Sequence, residues 1–349
     1  MKLPLMPPVE PMLAKSAASV PVGDYLYEPK WDGFRCLVFR DGAEIELGSR
    51  GGKLLTRYFP ELVASLAEAL PARCVLDGEV VVVAEGKLDF DRLSDRIHPA
   101  QSRIALLSER TPATFIAFDL LALGDEDLTG RPFADRRATL AGLYGRHDHV
   151  RVTRATDDPK LAGTWFERFE GAGLDGVVAK PVAGTYRPGE RTMVKIKHER
   201  TADAVVGGYR LHKSGPVVGS LMLGLYGADG VLNYVGGSSA FTMARRAELI
   251  DELARYRVAD GDEHPWVGEG ADEEHRRPGQ LNRWNAGKDK SFVALRPELV
   301  CEVRYDQLQQ DRFRHNARFV RWRPDREPAS CSYDQLDVPA PYDLADVFD

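Results

Sequence analysis

The stretch Glu28-Pro29-Lys30-Trp31-Asp32-Gly33-Phe34-Arg35 places a lysine two residues ahead of an Asp-Gly pair. A lysine can act as a nucleophile, but its model-peptide pKa of about 10.4 leaves roughly one amine in 2500 unprotonated at neutral pH, a handicap of about 4–5 kcal/mol. Such use requires neighbours that lower the pKa or a metal that activates the group under attack. Taken alone, Lys-x-Asp-Gly also describes a turn with a solvated lysine, so the rest of the chain has to decide.

A chain of 349 residues is long enough for two domains with separate cores. The 43% apolar content and mixed charge describe a globular protein. No run approaches the roughly 18 apolar residues of a membrane span, and residues 1–18 carry neither a signal-peptide core nor a transit-peptide bias, so a cytoplasmic location without membrane contact is expected. Cys36, Cys74, Cys301 and Cys331 show no paired metal spacing and read as reduced core thiols. The net charge of −6 argues against a general nucleic-acid coat. A local exception runs from Arg304 to Arg326, where seven arginines face three aspartates.

From Tyr25 to Lys197, β-rich runs (35–39, 75–84, 114–123, 176–179 and 193–197) alternate with amphipathic helical ones (60–70 and 134–143). Beyond Lys197 the strand-like runs are 204–211, 220–226, 232–236, 299–305 and 319–323, with one helical run at 243–256. Five strands and one helix suit a small closed or partly open barrel. The boundary is expected near Glu199, giving domains of residues 1–199 and 200–349. Residues 259–290, rich in Gly, Pro and charge, read as a surface insertion or a disordered connector.

Period-two geometry selects the side chains that share a face. In Met193-Val194-Lys195-Ile196-Lys197 the lysines point one way, and Val194 and Ile196 point into a core. Two ammonium groups about 7 Å apart on one face suit an anion lying between them, although an edge strand carrying solvated lysines gives the same pattern. Asp77 and Glu79 fall on one face of the very apolar run 75–83, and Asp175 opens the apolar run 176–179. Acids in apolar strands need partners, and a hard divalent cation is one, which makes Mg²⁺ the leading inference. Asp77 alone reads as a turn or cap residue, and Phe118 alone as core packing.

In this order the motifs closely resemble the covalent nucleotidyltransferases, specifically the ATP-dependent DNA ligases. The matches are Lys30-Trp31-Asp32-Gly33-Phe34-Arg35, Ser49-Arg50-Gly51, Asp77-Gly78-Glu79, Phe118-Asp119, Asp175-Gly176-Val177-Val178-Ala179-Lys180, Lys195-Ile196-Lys197 and Arg321-Trp322-Arg323-Pro324-Asp325-Arg326. A finer resemblance, to the short bacterial C-type ligases, rests on Phe90-Asp91-Arg92-Leu93 with Arg96-Ile97-His98, and on Arg312-Phe313-Arg314-His315. Two positions depart from the family pattern: Asp175 stands where Glu is usual, and Arg326 where Lys is usual.

The resemblance implies an α+β nucleotidyltransferase (adenylation) domain with mixed and antiparallel sheets, followed by an all-β OB-fold barrel domain. It implies a DNA ligase in which the Lys30 amine takes AMP from ATP, passes it to the 5′-phosphate of a nick, and the 3′-hydroxyl then displaces AMP. Lys30, Asp32, Lys195 and Lys197 are the implied catalytic residues. Glu28, Arg35, Arg50, Glu79, Phe118, Arg323 and Arg326, with the three lysines, are implied to bind the nucleotide, Phe118 by stacking on adenine. Glu79 and Asp175 are implied ligands of Mg²⁺ or Mn²⁺. The barrel of such enzymes closes over ATP and later turns another face to DNA. Expected partners are nicked double-stranded DNA and other DNA repair proteins, and the expected state is a monomer. Nicotinamide-dependent ligases carry an extra domain before the lysine, and with 29 residues ahead of Lys30 the expected nucleotide is ATP. A carboxylate at Glu28 accepts from the adenine amine and disfavours guanine, unlike capping enzymes. An RNA-end or RNA/DNA-hybrid ligase and a noncatalytic nick-binding protein stay open at this point.

Overall fold

The computed structural model describes residues 1–143, 147–259, 262–267, 275–278, 291–309 and 311–348. The chain divides into two compact units, Met1–Lys197 with Pro339–Asp349, and His198–Val338. Among the described residues no helix is long and apolar enough to cross a membrane.

The first unit contains two sheets. In the four-stranded one the order is Leu13–Ala17, Arg191–Lys197, Gly176–Pro181, Tyr25–Lys30, parallel at the first pair and antiparallel thereafter. The other runs Glu44–Ser49, Phe34–Asp41, Arg73–Ala84, Ala113–Leu123, Glu126–Asp127, with Val150–Val152 added in parallel to Ala113–Leu123. Its central strands are largely buried, as their predominantly apolar sequences demand. One face packs on Leu62 and Leu66 of the helix Pro60–Ala69. From the other, Leu37, Phe39, Val75 and Leu121 meet Met12, Tyr186 and Met193.

The four-stranded sheet has two chemically distinct faces. Tyr27, Val177, Ala179, Val194 and Ile196 are buried in an apolar cluster with Ala162 and Trp165 of the helix Pro159–Arg168. The alternate positions carry Glu28, Lys30, Lys195 and Lys197, the alternation read from the sequence at 193–197. Close packing of these strands explains Gly176, at φ +135°, where a Cβ would lie 2.0 Å from the Ile196 carbonyl oxygen. Gly33 of the Lys-x-Asp-Gly run is equally confined, 2.2 Å from Val80 O by the same construction.

In the second unit the antiparallel order is Leu232–Ser238, Gly215–Tyr226, Arg200–His212, Val300–Tyr305, Arg318–Trp322, with Val293–Ala294 added to Arg200–His212. Register shifts between Arg200–His212 and Gly215–Tyr226, and between Val300–Tyr305 and Arg318–Trp322, bend the strands around one core. The helix Met243–Ala254, capped by Thr242, adds Leu249 and Leu253. This is the OB-type half-barrel expected after an α+β domain.

Three expectations need correction. Residues 339–348 do not belong with the barrel, because Leu344 and Val347 are buried beside Trp31 in the first unit. The insertion at 259–290 is not all surface: Trp266 is buried in the barrel core, and its indole N–H donates to Leu232 O at 2.8 Å. Asp77 is neither a turn nor a cap residue but sits fully buried within the strand Arg73–Ala84.

Gly176→Ala combines a backbone clash with a φ that L-residues rarely adopt, and it should destabilise the protein by about 2 kcal/mol or more. Urea unfolding tests this, and a loss below about 0.5 kcal/mol would contradict the packing described.

Candidate active site

Strand register sets Lys30, Gly176 and Lys197 side by side across the four-stranded sheet, with Gly176 in the middle. Glu28, Val178 and Lys195 form the next row on the same face. Because Gly176 presents no side chain, the ammonium groups on either side converge on the preceding residue. Asp175 Oδ2 accepts from Lys30 Nζ at 2.5 Å and pairs with Lys197 Nζ at 2.7 Å. The Asp175 amide also donates to Lys30 O at 2.9 Å, which fixes the carboxylate relative to the lysine backbone. Burial raises the Asp175 pKa, yet Lys30 and Lys197 together hold it below the ordinary carboxylate range. Lys195 has its pKa lowered by burial and by the neighbouring charges of Lys197 and Lys30.

Glu28 is 2% exposed. Its Oε2 pairs with Lys180 Nζ at 2.7 Å, and Arg137 Nε stands 3.7 Å from Oε1. Oε1 has no hydrogen-bond partner, and burial raises the carboxyl pKa despite those cations. A buried acceptor left open is costly and calls for a donor. Lys180 also donates to Phe118 O at 3.1 Å and lies 4.4 Å from the Phe118 ring centroid. The site therefore offers an open carboxylate oxygen within a group that includes an aromatic ring.

Arg35 lies 4.5 Å from that ring centroid and grips Asp77 through two hydrogen bonds of 2.5 Å. Tyr186 donates to Asp77 Oδ2 at 2.7 Å. This buried pairing keeps Arg35 charged and fixes its guanidinium. Glu79 lies opposite Arg35 in the strand register. Burial pushes its pKa up to about 7 against the pull of Arg35 and Lys30, and Asp32 pushes it in the same direction as burial. Arg50 stands exposed in the turn after Glu44–Ser49, outside this hydrogen-bonded group.

The donor set bears on a metal. Among the described residues no three His, Cys, Asp or Glu side chains form a metal-holding group. Glu79 and Asp175 thus offer at most one or two carboxylates, which fits Mg²⁺, an ion that keeps water and shares substrate phosphates instead of requiring an all-protein cage.

In the second unit Arg323 donates to both oxygens of Asp203 at 3.0 Å and to Asp325 at 2.9–3.3 Å. Arg326 Nε lies 3.5 Å from Asp203 Oδ2. Asp203 is held by a reciprocal pair with Gln335, which accepts from its amide at 2.7 Å and donates to its carbonyl at 3.1 Å. The predicted arginines thus come together on Asp203, an acid outside the sequence motifs. Its signal was the one used for Asp77 and Glu79, a carboxylate in an apolar strand. Lys180 and Arg137 were missed as partners of Glu28; Lys180 shares the face of Gly176 and Val178, so alternation could have found it.

Residues 11–197 match the family model described as ATP dependent DNA ligase domain, and residues 214–326 the one described as ATP dependent DNA ligase C terminal region. The chain belongs to the ATP-dependent DNA ligases, and within them to the bacterial C type. It is 56% identical over 355 residues to DNA ligase C of Mycobacterium tuberculosis, covering 99% of each chain. It is 59% identical over 345 residues to DNA ligase C2 of Mycolicibacterium smegmatis, covering 97% of each. A solved structure from "DNA binding with a minimal scaffold: Structure-function analysis of Lig E DNA ligases" aligns with a TM-score of 0.56 at 18% identity, covering 90% of this chain and 99% of that one, a likeness of fold. The protein is thus an ATP-dependent DNA ligase, and its family uses ATP, a divalent metal and DNA. The RNA-end ligase and the noncatalytic binding protein are not the readings these matches support.

Asp175→Asn removes the counter-charge of two partly buried ammonium groups and should destabilise the protein by about 3 kcal/mol at pH 7. A depressed folded pKa stabilises above the unfolded value and loses that contribution as pH falls, so the gap between wild type and variant should narrow below about pH 3.8. Urea titrations from pH 7 to pH 3 test this, and a gap that is absent or independent of pH would contradict it.

Proposed function

We propose that the protein seals nicks bearing a 5′-phosphate and a 3′-hydroxyl through AMP carried on Lys30, acting as a monomer in cytoplasmic DNA repair. The observation that carries the reading is the row in which Lys30 and Lys197 share one oxygen of Asp175. Four free, buried cysteines accord with a reducing compartment.

In the first step the Lys30 Nζ–Pα bond forms, the Pα–O bond to pyrophosphate breaks, and the amine loses its proton. Lys30 paired with Asp175 is a masked nucleophile, so it must leave that carboxylate to attack. A divalent cation at Glu79 and Asp175, when bound, supplies positive charge that competes with the lysines for Asp175 and screens the phosphates. Lys197 and Lys195 are placed to neutralise phosphoryl oxygens. Adenine fits with its exocyclic amine on Glu28 Oε1 and its ring on Phe118, and Arg35, braced by Asp77, serves the ribose and the nick phosphate. Asp32 sits in the loop after Lys30, where its carboxylate adds to the field around Glu79. Arg50, exposed, is assigned a phosphate contact. Arg323 and Arg326, organised by Asp203, are assigned to the phosphates of ATP. In the second step the P–N bond breaks as AMP passes to the 5′-phosphate, and in the third the 3′-hydroxyl attacks that phosphate and AMP leaves. The cross-strand pairing of Arg304 with Arg318, both exposed, supports DNA contact by the barrel.

Intact mass after incubation with ATP and Mg²⁺ should show one added AMP, about 329 Da, on wild type and none on Lys30→Ala; a 5′-phosphorylated nick should discharge the adduct with sealing. An adduct that nicked DNA leaves in place would contradict the assigned acceptor. Arg323→Ala should slow self-adenylation roughly a hundredfold and sealing of a pre-adenylated nick by less than about threefold. Equal losses in the two assays would refute its assignment to ATP.

A further inference from the structure

Residues 339–348 lie beyond the last residue matched by the family models, 326. They follow the barrel in sequence yet pack on the first unit, against the apolar face of the sheet whose other face carries Lys30, Lys195 and Lys197. The placement is specific. Leu344 N–H donates to Gly86 O at 3.0 Å, and Arg154 Nη1 donates to Asp346 O at 2.9 Å. The Tyr342 ring meets Phe169 at 5.4 Å, and Leu344 and Val347 are at most 1% exposed. Gly171 admits the segment by lacking a side chain, since a Cβ there would lie 1.9 Å from Ala340 O.

At the end of this segment the Phe348 ring stacks on Trp31, with centroids 5.4 Å apart and planes 17° apart, while Arg151 stands 4.2 Å from the Phe348 centroid. Trp31 is the residue next to Lys30 and is 5% exposed. Its indole N–H donates to the buried Thr153 hydroxyl at 2.8 Å. Thr153 thus holds the edge of the indole, and Phe348 covers a face. A ring this large, fixed at edge and face, fixes the backbone that carries it, and with it the origin of the Lys30 side chain. An attacking amine is sensitive to such placement, because a displacement of about 1 Å from the productive geometry can slow a reaction on the order of a hundredfold.

We propose that Phe348 is a positioning residue for self-adenylation, with residues 339–348 forming a strap that braces Trp31 from behind and so holds Lys30 in line for the ATP α-phosphate. The inference rests on Lys30 being the nucleophile. Phe348 touches no reacting atom. It acts through Trp31, so its loss should reduce the maximal rate of adenylation without weakening capture of ATP.

The test is single-turnover self-adenylation of the full chain over a range of ATP concentrations, comparing wild type, Phe348→Ala and Phe348→Tyr. A cavity of about 280 Å³, lined by Phe348 with Val83, Gly86 and Arg151 among others, leaves room for the added hydroxyl. Phe348→Ala should lower the maximal rate about tenfold at unchanged half-saturating ATP, and Phe348→Tyr should restore it. Hydrogen exchange in peptides covering 30–33 should quicken in Phe348→Ala alone. Should Phe348→Ala fail to fold, Phe348→Leu, which keeps apolar bulk but removes the stacked ring, is read in the same way. An unchanged maximal rate, or a loss confined to half-saturating ATP, would overturn the proposal. Failure of wild type to place AMP on Lys30 would instead overturn the nucleophile assignment, so the two failures are distinguishable.

Discussion

One carboxylate oxygen, Asp175 Oδ2, is shared by two ammonium groups, and the polar face of the four-stranded sheet is organised around it. The arrangement needs a residue without a side chain between the lysines, supplied by Gly176, and an acid at the strand's entry, supplied by Asp175. It also needs a reason for the lysines to converge at all. Without Asp175 they would repel each other in a partly desolvated place; with it they form a charged cluster of the kind the proposed phosphate contact requires. In the proposed reaction Lys30 leaves this shared carboxylate to reach the nucleotide, so the pairing holds both lysines ready without committing either.

The same logic recurs at three further acids placed in apolar strands. Asp77 is satisfied by Arg35 and Tyr186, Asp119 by the buried Arg136, and Asp203 by Arg323 with Arg326 nearby. In each case a structural carboxylate fixes a cation or a strand instead of reacting. Glu28 and Glu79 differ. One oxygen of Glu28 is left open, and the Glu79 pKa is pushed up to about 7 by burial. Acids whose charged form burial disfavours are the ones with most to gain from a cationic or hydrogen-bonding ligand.

Much of this was legible in the sequence because it follows from alternation. The two faces of 193–197, the pairing of acids with apolar strands and the burial of the four cysteines all come from period-two patterning and composition. The long-range partners were not legible. No local pattern says that Asp175 will meet Lys30 across 145 positions, that Tyr186 will reach Asp77, or that the segment carrying Phe348 will return to Trp31. Arg96 illustrates the limit. Quoted as part of a family segment, it proves to be fully buried, binding Glu61 through two hydrogen bonds and capping the carbonyls of Tyr58 and Thr111, an architectural role set by tertiary packing. The polar character of 259–290 likewise hid Trp266, an apolar anchor whose importance depends on the space left by Gly207 and Gly224.

The central claim is that the row of Lys30 and Lys197 on Asp175 is where AMP becomes covalently attached. The most direct measurement is peptide mapping by tandem mass spectrometry of the protein after reaction with ATP and a divalent metal. The account predicts AMP on Lys30 alone. A nucleotide found on Lys195, Lys197 or any residue outside this row, with Lys30 unmodified, would contradict it.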